Sequence, residues 1–302
     1  MNQKRIIASI WTFCLLLAAI AAVYFTDYRP LGLIKPSWLI LVSLFLISAF
    51  CEYIDSSLGM GYGTTLTPLL LTLGVVRLDI VPAILLSELL TGFFAGIAHH
   101  NEGNVNLKEN RNIKTAVLFL AIPSVIGVVV ATILGSQLKS IGQHYANLYI
   151  GLMIALIGIY LIYNIYFRKP ILKSVGGMAK ASLSKPKLLI LGTVAAFNKG
   201  VSGGGYGPLM TGGQLTAGVK EKEAIVITSL CECFTCFSGL VVFFILGGSL
   251  NLFYAIPLCM GSMLSVVPAA KTIKILPKGI LKKAIGWATL ILGLLTLYKF
   301  LS

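Results

Sequence analysis

Charged side chains are scarce in this chain of 302 residues: Asp, Glu, Lys and Arg make up 11% of it, and only 10 residues are acidic. Soluble globular domains carry about 25% charged residues, so this composition argues against that class. The short alternating segments of a membrane β-barrel are also missing. Instead, 57% of the residues are hydrophobic, in runs of about 18–25 residues that suit α-helical membrane spans. We therefore predict an all-α integral membrane protein.

The net charge of +14 does not indicate a nucleic-acid partner. The basic residues are concentrated in polar loops between apolar runs, where the positive-inside rule accounts for them. The densest such loop, 168–187, holds six basic residues and no acidic one, and we expect it on the cytoplasmic side. Membrane lipids and a small solute are the expected partners.

Two glycine-rich stretches, 59–63 and 203–207, interrupt apolar segments and lie 144 residues apart (203 − 59). In that register without gaps, Gly59, Gly61, Tyr62 and Gly63 fall on Gly203, Gly205, Tyr206 and Gly207. Glu88, Thr91 and Phe93 likewise fall on Glu232, Thr235 and Phe237. The chain is therefore read as an internal duplication. Glycine-interrupted apolar segments at matching positions of two halves point to a transporter site near mid-membrane.

The apolar runs divide the chain into an N-terminal helix and loop (1–36), a first repeat (37–167), the basic linker (168–187) and a second repeat (188–302). Each repeat is expected to hold one glycine-broken re-entrant hairpin and three transmembrane helices. The predicted segments are Ile6–Phe25, Trp38–Ile54, Leu66–Val76, Val81–Ala98, Ile113–Leu138, Tyr145–Phe167, Leu188–Val201, Leu209–Val219, Ala224–Leu246, Leu252–Ala270 and Ala284–Leu301.

Loop charge sets the expected orientation of these segments. The loops 168–187 and 271–283 should both be cytoplasmic, so the segment 188–219 must enter and leave on one side. Its two arms, of about 11–14 residues, are short for full spans, which favours a re-entrant hairpin. Counting back places the first hairpin on the outside and the N-terminus in the cytoplasm. The two repeats are thus predicted to have inverted topology.

The glycine breaks are the predicted substrate site, because unpaired N–H groups at helix ends can face an anion. Hydroxyl and phenol groups add further donors. The predicted substrate-binding residues are Gly59, Gly61, Tyr62, Gly63, Thr64, Thr65, Asn198, Lys199, Ser202, Gly203, Gly204, Gly205, Tyr206 and Gly207.

Three acids accompany this site as coupling or structural charges: Asp55, Glu88 and Glu232. A cation at membrane depth needs a partner, and Asp55 occupies the position of Lys199 in the other repeat. Lys199 is therefore either paired with Asp55 or available to bind the substrate anion. Glu88 and Glu232 either relay protons or make buried hydrogen bonds.

Six cysteines all fall in apolar segments, which argues against an extracytoplasmic disulfide framework. Cys231, Cys233 and Cys236 share one helix, but their spacing is no zinc signature. Neither a metal nor another cofactor is expected. The pair His99-His100 is expected at a helix end on the cytoplasmic surface, and Gly92-x-x-x-Gly96 is expected to form a helix-packing face.

In the paired breaks 59–63 and 203–207, the stretches 64–74 and 208–218, and the basic central linker, the chain resembles the TauE/SafE family of sulfite exporters. The resemblance covers nearly the whole chain after the first helix. It implies membrane transport of small sulfur-containing anions such as sulfite, thiosulfate or organosulfonates.

The expected function is therefore transport of such an anion, with export favoured, in a bacterial inner membrane. Two alternatives stay open at this point. One is an intramembrane thiol or sulfur-relay enzyme that uses Cys231, Cys233 and Cys236, and the other is an anion channel.

Overall fold

The computed structural model describes residues 38–72, 75, 77–107, 109–137, 148, 151–152, 154–156, 158–163, 166–167, 185–202, 204–276 and 278–301. Its labelled helices are α1 (Trp38–Leu58), α2 (Tyr62–Thr72), α3 (Arg77–Asn101), α4 (Arg111–Gln137), α5 (Lys185–Ser202), α6 (Tyr206–Thr216), α7 (Glu221–Ile245), α8 (Leu252–Ile275) and α9 (Lys278–Leu301). The predicted helix at 6–25 and most of the linker, 168–184, lie outside the described residues.

Five of the described helices are long and apolar enough to cross a membrane: α1, α3, α4, α7 and α8. Large apolar side chains such as Phe50, Ile126 and Phe237 are exposed on their outer faces, while Glu88 and Lys199 are buried inside. A soluble protein shows the opposite arrangement. The chain is an integral membrane protein.

Helix α5 begins earlier than expected, inside the segment assigned to the linker. Pro186 stands in its first turn, where the missing N–H of proline costs nothing. The 18 residues of α5 span about 27 Å at 1.5 Å per residue, so the expectation of a short first arm is wrong. The second arm, α6, has 11 residues as expected.

The helices pack in a reciprocal pattern across the two halves. Helix α1 lies along α8, and α5 lies along α4. A shift of 144 residues carries α1 (38–58) onto 182–202, which contains α5, and carries 108–131, which overlaps α4, onto α8 (252–275). The pair α1 and α8 in one half of the pattern therefore corresponds to the pair α5 and α4 in the other. Helices α3 and α7 have identical bounds in this register and lie against each other. An approximate two-fold relation between the halves accounts for this pattern; their inverted orientation in the membrane stays a prediction.

Two glycines allow α3 and α7 to approach closely. A Cβ atom on Gly92 would lie 2.6 Å from the backbone oxygen of Ser229 on α7, and one on Gly96 would overlap the side chain of Leu230. The predicted packing role of this Gly-x-x-x-Gly segment is confirmed. The acids at positions 88 and 232 are thereby brought to the same interface.

We expect Gly92→Ala to lower the thermal unfolding temperature of the purified protein by several degrees, because an overpacked contact costs about 1–3 kcal/mol and a backbone atom cannot move aside easily. Gly239→Ala on α7 is the matched control, since its Cβ would meet side chains of Leu85 and Val128 at an ordinary 3.4 Å. Equal unfolding temperatures for the two variants would contradict the close-packing role of Gly92.

Candidate functional site

Each glycine-rich stretch separates two helices and changes the direction of the chain. Helix α1 ends at Leu58 and α2 begins at Tyr62, and between them Gly59 and Gly61 have φ values of 70° and 134°. Helix α6 follows Gly205, whose φ is 81°. Side chains with a Cβ rarely adopt these conformations, so the glycines end the helices where the chain must turn.

The two breaks touch each other. The backbone N–H of Gly205 donates to Thr64 Oγ1 at 3.1 Å. A Cβ on Gly204 would lie only 2.8 Å from the backbone oxygen of Gly63. The breaks of the two halves, 141 residues apart in the first of these contacts, therefore form one structural unit.

The two tyrosines that match in the repeat register, Tyr62 and Tyr206, are fully buried. The hydroxyl group of each is already hydrogen-bonded. Tyr62 Oη lies 2.9 Å from Ser48 Oγ and 2.8 Å from Ser87 Oγ. Tyr206 Oη lies 3.1 Å from Ser124 Oγ. In this conformation the phenol groups brace the starts of α2 and α6 against neighbouring helices.

Lys199 lies between two glutamates. Its Nζ is 2.6 Å from Glu88 Oε2 and 2.5 Å from Glu232 Oε1, and its side chain is 1% exposed. Within the described ranges, no ion pair joins Lys199 to Asp55, so the partner anticipated from the repeat register is replaced by the two glutamates. They reach Lys199 because α3 and α7 meet at the centre of the molecule.

The carboxylate of Glu88 also takes a backbone donor from the first break. The N–H of Gly63 donates to Glu88 Oε1 at 3.2 Å, while Lys199 holds Oε2. One anionic group is thus bound by a glycine amide and an ammonium together. This arrangement is the one that a small anionic ligand would require.

These groups line a narrow space that has no room for a water molecule. Its lining joins many of the residues predicted from sequence: Asp55, Gly61, Gly63, Thr64, Glu88, Lys199, Gly204, Gly205, Tyr206, Gly207 and Glu232.

The remaining predicted residues have other positions. Gly59, Tyr62, Thr65 and Asn198 do not line this space. Gly203 and the side chain of Ser202 lie outside the described part of the chain. The binding role of every residue in the predicted set stays a prediction.

Sequence reasoning missed Glu52, which is 1% exposed on α1 one turn before Asp55. Its Oε1 accepts a 2.6 Å hydrogen bond from Ser56 Oγ. Its position was a usable signal, since an acid in the middle of an apolar segment is costly and usually functional. The matching residue of the second repeat is Ala196, so the duplication itself gave no indication of it.

His99 also differs from expectation, because it is buried rather than interfacial. Its Nε2 lies 2.9 Å from the backbone oxygen of Ser56, which can only accept, so Nε2 carries the proton. Asn104 Nδ2 lies 3.1 Å from the other ring nitrogen, Nδ1. His99 therefore ties the end of α3 to α1.

The cysteines of α7 are free thiols in this structure. Cys231 Sγ donates to the backbone oxygen of Val117 at 3.6 Å, and Cys236 Sγ donates to Glu88 Oε2 at 3.7 Å. Cys231 and Cys236 are buried. Among the described residues, no group of three or more His, Cys, Asp or Glu side chains could hold a metal ion.

Comparison with known proteins identifies the family. The family described as "Sulfite exporter TauE/SafE" matches this chain over residues 44–296. The chain belongs to the TauE/SafE family.

A curated relative of this TauE/SafE protein is the "Probable membrane transporter protein YtnM" of Bacillus subtilis (strain 168), which is 33% identical over 166 residues. The aligned region covers 55% of this chain and about half of the relative, 51%. No solved structure matches the chain.

We expect Lys199→Met to destabilise the protein by about 3–5 kcal/mol, the usual cost of leaving buried charges without their partner. Adding Glu88→Gln and Glu232→Gln to Lys199→Met should recover much of that loss. Thermal unfolding of the purified variants in detergent measures both effects. Equal stability of Lys199→Met and the unaltered protein would show that the ion pairs are not formed.

Proposed function

We propose that this transporter carries small sulfur-containing anions, namely sulfite, thiosulfate or organosulfonates, through the space between the two glycine breaks. The observation that carries the proposal is the double engagement of Glu88 by Gly63 N–H and Lys199 Nζ. The Glu88 carboxylate occupies the position that a substrate anion would take. Binding would then be an exchange in which the substrate displaces this carboxylate.

The chemistry of the lining suits an oxyanion of this size. Lys199 supplies charge, and backbone amides at the breaks supply short-range donors without intruding side chains. The lining residues leave no room for even a water molecule in this conformation of the chain, so substrate entry requires the breaks or their neighbouring helices to move. Carriers that alternate between two open states pass through such closed forms.

The reciprocal helix pairs support two related halves, and the proposed topology of these halves is that of inverted repeats with re-entrant hairpins. In that arrangement α1–α2 and α5–α6 are the hairpins, and they meet tip to tip around Lys199. The N-terminus is then cytoplasmic, in a bacterial inner membrane.

The membrane potential favours export of an uncoupled anion. Moving one elementary charge across 100 mV is worth about 2.3 kcal/mol, and an interior-negative potential drives an anion outward. Uptake would need a coupled proton or another cation.

Flux of labelled sulfite, thiosulfate and taurine-like sulfonates into proteoliposomes tests the proposal. We expect saturable uptake of at least one of them, which would also argue against an open channel. Lys199→Ala should reduce that flux more than tenfold, and Lys199→Arg, which keeps the cation, should retain part of it. Flux of none of these anions, or full flux in a folded Lys199→Ala protein, would contradict the proposal.

The thiol-enzyme alternative is tested by replacing Cys231, Cys233 and Cys236 together with serine. A transporter should keep its anion flux within about a factor of two to three, because small buried thiols contribute mainly packing. Complete loss of flux in a variant that still elutes as a folded protein from a sizing column would favour a chemical role for the cysteines.

A further inference from the structure

Glu52 is a further buried acid on the helix that leads into the first glycine break, and nothing above gives it a role. It lies on α1, 1% exposed, and its Oε1 accepts from Ser56 Oγ. Its Oε2 is buried and has no hydrogen-bond partner among the described residues. A buried, ionised carboxylate normally has donors on both oxygens. A carboxyl group with one empty oxygen is suited to hold a proton.

The charges around Lys199 require such a proton. Asp55, Glu88 and Glu232 line the same space as Lys199, so the fully ionised lining would carry a formal charge of −2 (+1 − 3). A substrate anion that displaces Glu88 from Lys199 leaves that carboxylate without its counter-charge. An unpaired buried charge is strongly unfavourable, so the displaced carboxylate must be neutralised.

Glu52 is placed to supply the neutralising proton. The titratable groups whose charges act on the Glu52 carboxyl group are Asp55 on the same helix, Glu88 from α3 and Glu232 from α7. The charge of Glu52 acts in turn on Cys51 and on Tyr62 from α2. Positions 52 and 55 share a helix face, and Asp55 lines the space that contains Glu88. The acids therefore form a short series from Glu52 to the ion pair.

His99 contacts Ser56, the same residue whose hydroxyl group bonds Glu52. Its Nε2–H donates to the backbone oxygen of Ser56, and a carbonyl cannot pass a proton on. Asn104, in the loop after α3, contacts the opposite ring nitrogen. His99 thus fixes this end of α1, and Glu52 is the first proton-carrying group inside it.

We propose that Glu52 is the proton-loading residue of this carrier, so that one proton is bound with each substrate anion. This proposal rests on the proposed function, because it assumes anion binding at Lys199. When the anion arrives, the O–H bond of Glu52 breaks and, by way of Asp55, an O–H bond forms on the displaced Glu88 carboxylate. Glu52 is then protonated again from water, while Lys199 keeps its charge throughout.

The proposal changes what drives transport. A monovalent anion that moves with one proton crosses without net charge, so its flux does not follow the membrane potential. A pH difference of one unit then balances a tenfold ratio of a monovalent anion. Export continues only while the inner concentration of the anion exceeds the outer one by more than the proton ratio.

The experiment compares the unaltered protein, Glu52→Gln and Glu223→Gln in proteoliposomes with labelled thiosulfate, sulfite and taurine-like sulfonates. Glu223 is a matched control, because it is also buried with one oxygen that lacks a partner but does not line the site. Two quantities are measured for whichever anion moves: exchange of labelled for unlabelled anion at equal pH, and net accumulation driven by an acidic exterior. Comparing variants with the same anion cancels the anion's own protonation.

We expect Glu52→Gln to lower both exchange and accumulation more than tenfold at neutral pH, with Glu223→Gln unaffected in both. Exchange in Glu52→Gln should recover when the pH is lowered equally on both sides, because Glu88 can then take its proton directly from water. Unchanged accumulation in Glu52→Gln overturns the proposal, and so does a loss of exchange that no lowering of the pH restores, since that result marks a structural role. Absence of flux in the unaltered protein would instead contradict the proposed function.

Discussion

The buried ammonium group of Lys199 is the constraint on which the centre of this protein depends. An unpaired cation at membrane depth is costly, and here it is neutralised by Glu88 and Glu232 from two different helices. Those helices can deliver their acids only if they pack closely, which Gly92 allows. The helix contacts and the charges are thus parts of one arrangement, and neither is stable without the other.

At the glycine breaks, the backbone groups that leave the helices also need hydrogen-bond partners. Chain that leaves a helix inside a membrane exposes backbone groups that must find partners. In this structure the N–H of Gly63 finds Glu88, and the N–H of Gly205 finds Thr64. The acceptors of both donors are side-chain oxygens rather than the backbone carbonyls that a helix supplies.

The matching register of the two halves accounts for the shared interface of Glu88 and Glu232, and the unmatched positions carry the differences in charge. Glu88 and Glu232 occupy matching positions, so a two-fold relation brings both to the centre. Lys199 stands where the first repeat has Asp55, and Glu52 where the second has Ala196. A fully symmetric pair of halves would place two lysines or two aspartates together. The unequal positions provide one cation, its partners and an additional acid.

The sequence alone determined the membrane class, the duplication, the two glycine breaks and most helix positions, because hydrophobic length, repeat register and glycine content act locally along the chain. Its pattern also singled out Lys199, Glu88 and Glu232. Only the tertiary structure decided that these three pair with one another and that Glu52 is fully buried on α1. Which buried acid meets a buried cation depends on the packing of α1, α3, α5 and α7, and residues far apart in the chain carry no local mark of that contact.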